Sequence, residues 1–159
     1  MESVLAQLEQ SGLATWIRES GVLYGYPLIL FLHTLGLATV VGLSTFLNLR
    51  VLGFAQRLPF AVVTPFIKVI WLAFAVTAAS GTALFVANPG PRVESLVFLI
   101  KLVFVALALV TLHLMTKRIF RNPLADQSPL PSQARVLAVA SMLFWVAATT
   151  AGRLMAYIV

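Results

Sequence analysis

Two histidines, two lysines and one arginine stand where such side chains are rare. His33, Lys68, Lys101, His113 and Arg153 each lie inside or at the edge of a long apolar run. Histidine can ligate a metal or carry a proton, and lysine and arginine hold anions. The runs cover about residues 26–49, 65–87, 96–115 and 136–158. Each is near or above the ~20 residues that a helix needs to cross a bilayer. A charge placed in hydrocarbon costs at least ~2.5 kcal/mol, so ionisable residues inside such helices mark candidate functional sites.

Helix geometry sets the depth of each group. With Pro27 at the outer surface, His33 lies ~9 Å in, at 1.5 Å per residue. Lys101 counted from Leu96, and Arg153 counted back from Ile158, each lie ~8 Å in from the same side. Three helices thus present His33, Lys101 and Arg153 at one level of the outer leaflet. Turned toward one another, they would make a site for an anionic ligand: heme propionates, a quinone carbonyl or an oxyanion. Met155 lies near the same level, so a heme iron would take His33 on one side and Met155, water or nothing on the other. His113 is ~13 Å from the depth of His33, which strains a heme held by both histidines. Two histidines in all exclude a two-heme cytochrome b with four. Bland readings stand beside these. Lys101 and Arg153 are shallow enough to snorkel to the surface, His33 could make an ordinary hydrogen bond between helices, and Lys68 flanks the inner surface.

The rest of the chain says what must carry these residues. Hydrophobic residues make up 60% and charged ones 10%, against roughly 25% charged in a soluble domain. Lipid must therefore cover the surface. The expected fold is all-α: a polytopic membrane protein, a four-transmembrane-helix bundle forming a single domain over residues 1–159. There is no cysteine, which excludes thiolate metal sites and cysteine nucleophiles. No Asp or Glu lies in the apolar spans, which disfavours carboxylate-pair catalysis. The net charge of +6 does not imply nucleic acid, because the basic residues are distributed as membrane flanks. Small residues in the spans (Gly36 and Gly42; Ala75, Ala79 and Gly81; Ala148 and Gly152) favour close helix approach in lipid.

Residues 1–20 are not a signal peptide, since they carry Glu2, Glu9 and Glu19 and lack a continuous apolar core. Val4, Leu5, Leu8, Leu13, Trp16 and Ile17 form a stripe, interrupted at Ser11-Gly12, that predicts an interfacial amphipathic helix. Thr64-Pro65 reads as the N-cap and first residue of the second span, and Asn88-Pro89-Gly90-Pro91 as a short outer turn. The segment 50–63 reads as an inner loop skimming the interface, and 122–132 as an extended inner loop. Arg50, Arg57, Lys117, Arg118, Arg121 and Arg135 fall on one side with a single acid, Asp126. The other side holds Arg18 and Arg92 with four acids, Glu2, Glu9, Glu19 and Glu94. The bias of Lys and Arg toward the cytoplasm places both termini in the periplasm of a bacterial inner membrane.

Helix one reads His33-Thr34-Leu35-Gly36-Leu37 through Gly42 to Leu49-Arg50, and helix three reads Lys101-Leu102-Val103 through Leu112-His113. These segments resemble the HemJ-type membrane protoporphyrinogen oxidases and the wider CopD-like membrane proteins. That resemblance implies heme b, with His33 as axial ligand, Lys101 as a second functional residue and His113 as the later histidine. The chain lacks that family's proline before the arginine and its C-terminal Arg-x-x-Asn-Glu pattern. Its ending, its amphipathic start and Leu49-Arg50-Val51-Leu52-Gly53 look more like an uncharacterised family of small four-helix bacterial inner-membrane proteins. The expected function is a heme-b-associated component in electron transfer or tetrapyrrole handling. The alternatives are an accessory subunit of a larger membrane complex and CopD-like copper transport. Copper is disfavoured by the missing cysteines and by Met115, Met142 and Met155 lying at different depths.

Overall fold

Each apolar run becomes one long helix, because a backbone in lipid must satisfy its own hydrogen bonds. The computed structural model describes residues 6–7, 10–20, 24–93, 95–121 and 130–158. Within them α1 spans Gly12–Glu19, α2 Tyr26–Leu52, α3 Phe60–Val63, α4 Phe66–Ala87, α5 Gly90–Val93, α6 Leu96–Met115 and α7 Ser132–Ile158. α2, α6, α7 and the stretch from α3 through α4 are long and apolar enough to cross a membrane. No strand occurs among the described residues. The protein is an all-α, polytopic four-helix bundle.

The long helices pack as two antiparallel pairs, α2 with α4 and α6 with α7, and α2 with α7 joins the pairs. α4 and α6 share no such seam. They meet near one end through stacked Phe85 and Phe98, with ring centroids 5.7 Å apart. Near the other end Thr64 Oγ1 donates to Phe120 O at 3.3 Å. We call the end that carries α1 and the 88–95 turn proximal, and the other distal.

The main buried cluster runs from the middle of the bundle to its distal end. Val40, Leu47, Ile70, Leu112, Met115 and Trp145 are among its members. No residue of α2 before Gly36 is buried, and none of α6 before Ala108. In the proximal half the buried residues of the long helices come mainly from α4 and α7: Ser80, Leu84, Ala87, Ala148 and Ala151. Ala75 and Ala79, expected to ease packing, are exposed, and nothing approaches Gly42.

The ends differ from expectation in instructive ways. Thr64 does not cap α4; its hydroxyl bonds back to Phe60 O at 2.7 Å, and α4 starts at Phe66 after Pro65. The 50–63 segment is loop only in part. α2 stops at Gly53 in a left-handed conformation, φ 104°, a common helix ending. The chain then returns through α3, where Phe60 and Val63 are buried. Arg50, itself buried, holds this return: its Nε donates to Leu58 O at 2.6 Å and its guanidinium lies 4.1 Å from the Phe60 ring centre. Arg50→Met is expected to lower stability by about 1–3 kcal/mol through the carbonyl left unpaired. The unfolding midpoint in a denaturing-detergent titration measures it.

α6 continues past Met115 as a π-helical turn, Thr116–Phe120, closed by Arg121 N–H donating to Thr116 O at 3.1 Å. The altered pitch buries Ile119 and Phe120 and leaves Lys117 and Arg118 exposed. α1 docks on α4 rather than only lying in the interface. Ser11 caps it, Ala14 and Ile17 are buried, and Arg18 donates to Ala87 O at 3.0 Å. A cation there complements the C-terminal end of α4. Leu13 and Trp16 remain exposed, as an interfacial helix requires. The expected contributions of Val4, Leu5 and Leu8, and most of the 122–132 loop, lie outside the described residues.

Candidate functional site

His33 is held in the α2–α4 seam. Its Nδ1 is 2.9 Å from Thr77 O and 3.2 Å from Ser80 Oγ. A carbonyl only accepts, so Nδ1 carries a proton, and in the neutral ring the lone pair is then on Nε2. Ser80 donates its own proton to Val76 O at 2.6 Å, which leaves its oxygen able to accept from His33 as well. A carbonyl bond on one ring nitrogen is how proteins orient histidine for ligation through the other.

Two glycines permit this placement. A Cβ on Gly81 would sit 2.9 Å from His33 Cε1 and 3.3 Å from Nδ1. Gly36, one turn along α2, faces α4: a Cβ there would run into Thr77 Oγ1 and lie 3.0 Å from Ala73 O. The room beside the histidine thus comes from Gly81 on the facing helix, while Gly36 sets how closely the two helices approach.

Lys101 lies in the other pair, against α7. Its Cε and Nζ are 3.4 and 3.6 Å from where a Cβ of Gly152 would stand. Arg153, the next residue of α7, is exposed, with its guanidinium 5.7 Å from the Tyr157 ring centre. Met155 is half-buried on the same helix. The hydrogen bond between Asn48 and Ser141 fixes the register of α2 against α7. Counted from it, His33 lies ~22 Å along α2 and Met155 ~21 Å along α7, at nearly one level. Gly152 and Arg153 fall ~4–6 Å nearer the middle. The structure therefore sets Lys101 against α7 and His33 against α4, about one helical turn apart in depth, and leaves Arg153 exposed on α7. His113 and Lys68 are exposed in the distal half.

The donor types limit what could bind. Among the described residues no three of His, Cys, Asp and Glu come together as a metal site. A bare metal ion would lack such a ligand set here. A macrocycle that brings its own four nitrogens needs one or two ligands from the chain, and the orientation of His33 suits that task. Lys101 and Arg153 suit carboxylates.

Sequence reasoning passed over a second polar group. Asn48, Ser44, Ser141 and Trp145 are all buried. The available signals were an amide inside a span and a tryptophan far from either interface. No family model matches the chain, and neither a curated protein nor a solved structure does.

Proposed function

We propose that this is a heme-b-associated membrane protein of the bacterial inner membrane, a redox or tetrapyrrole-handling component with both termini periplasmic. The observation that carries the proposal is His33. Its Nδ1–H is committed to the Thr77 carbonyl, so Nε2 is the nitrogen that would ligate iron. Around it α2 before Gly36 and α6 before Ala108 have no buried residue, which leaves those helix faces for a flat ligand. Met155, at nearly the level of His33, would be a candidate second ligand, with water or no ligand as the alternatives. Lys101 and Arg153 would neutralise the propionates. The bound group would supply one-electron chemistry at its iron, and the chain would hold and orient it. The orientation is supported by Arg50, Arg57, Lys68, Lys117, Arg118, Arg121 and Arg135, which follow or precede the distal helix ends.

Protein purified in detergent from heme-replete cells is expected to show a Soret band, and His33→Ala is expected to lose it while keeping its helicity. Colourless wild-type protein would overturn the proposal, as would a band untouched in His33→Ala.

A second reading, an accessory subunit of a larger membrane complex, draws on one observation. Ala75 and Ala79 turn outward on α4, and small residues four apart on an open face suit a partner helix in lipid. Co-purification of a fixed partner in the absence of any cofactor would favour it.

A further inference from the structure

The α2–α7 seam is what joins the two helix pairs, and its polar groups are not all accounted for. Asn48 Nδ2 donates to Ser141 Oγ at 3.1 Å, with both side chains buried. The two helices run antiparallel. One turn back along α2 and one turn on along α7 therefore bring Ser44 and Trp145 to a common level, ~6 Å from that bond. Ser44 is 1% exposed and Trp145 2%. Neither Ser44 Oγ nor Trp145 Nε1 has a hydrogen-bond partner.

Ser44 differs from other hydroxyl residues of the described spans. Thr39, Ser80, Thr111 and Thr149 all turn their hydroxyls back to a carbonyl of their own helix. Ser44 does not. An indole N–H can only donate, and a hydroxyl can donate and accept. Groups of this kind are rarely left unpaired when buried, and ordered water is the usual partner where no protein group serves.

We infer that one ordered water binds between Ser44 Oγ and Trp145 Nε1, in the middle of the bundle. It accepts from the indole and exchanges a hydrogen bond with the serine. The burial of both residues selects the ligand: anything with a carbon skeleton would have to part α2 from α7, whereas a water needs little room and about two to four polar partners. The water ties the α2–α4 pair to the α6–α7 pair, one turn from the Asn48–Ser141 bond. This inference does not rest on the heme proposal.

The test is a crystal structure of the full chain in lipid at a resolution that shows ordered water. Density within hydrogen-bond distance of both Ser44 Oγ and Trp145 Nε1 is expected. A direct bond between the two side chains, or Ser44 turned to the Val40 carbonyl with no density beside the indole, overturns the inference. A spectroscopic check uses Trp16→Phe/Trp71→Phe protein, in which Trp145 is the sole tryptophan. Its indole N–H Raman band is expected at the hydrogen-bonded position and is expected to shift to the unbonded position in Ser44→Ala. A band already unbonded before that change, or unmoved by it, also overturns the inference.

Discussion

Gly36→Leu is expected to part α2 from α4 and to unfold the protein at a markedly lower detergent-denaturant fraction. A single added Cβ already meets Thr77 Oγ1 and lies 3.0 Å from the carbonyl oxygen of Ala73. Thr77 Oγ1 is not free to swing away, because it donates to that same carbonyl at 2.9 Å. The other close atom is helix backbone, which cannot move without moving α4. Overpacking a tight site costs roughly 1–3 kcal/mol. Gly36→Ala is expected within that range, and Gly36→Leu beyond it. The consequence reaches the candidate site. His33 stands one turn away and bonds Thr77 O, so separating the helices lengthens the bond that orients its ring. Any Soret absorbance should fall with Gly36→Leu even where the helices persist. Wild-type stability in Gly36→Leu would show that α2 and α4 do not meet at this residue.

Trp145→Ala is expected to destabilise the bundle by about 3–5 kcal/mol, the usual range for emptying a large aromatic site in a core. Trp145 is among the largest fully buried side chains, and it belongs to the main core cluster with Val40, Ala108 and Ala138. Trp145→Phe separates the volume from the indole N–H. It keeps much of the packing and removes the buried donor, so its loss is expected to be a small part of that of the alanine variant. Unfolding midpoints of the two variants, measured against wild type in one detergent system, give the comparison. Equal losses would mean that the N–H, and not the ring, supports this seam.

Asn48, Ser44 and Arg50 show where a sequence reading of this chain stops. Arg50 reads as one of several flanking cations, because its position after an apolar run is all that the sequence displays. Its role in holding the 53–60 return depends on Leu58 and Phe60 coming back to it, and that is a property of the folded loop. Asn48 and Ser44 are polar residues in a span, which could equally face a neighbour or slide toward a surface. Only the register between α2 and α7 puts Asn48 on Ser141 and brings Ser44 to the level of Trp145. His33 was legible as a candidate from its depth alone. Its partners were not: the Thr77 partner is a backbone carbonyl that any residue type supplies, and a serine in a membrane helix more often bonds its own backbone.

The sequence by itself determined the class of the protein, the four spans and the depth of each embedded polar group. These follow from local quantities: the length of an apolar run, the breaks set by proline and glycine, and a fixed rise per residue. The helices begin and end within a few residues of those runs, except that α7 starts at Ser132 and α6 continues into a π-helical turn. Tertiary structure alone decided which helix each polar residue faces. A span that is apolar on every side carries no hydrophobic stripe to fix its rotation, since lipid accepts any face. The rotation is set instead by where close approach is possible, at Gly36, Gly81 and Gly152, and by the few hydrogen bonds that pair one helix with the next.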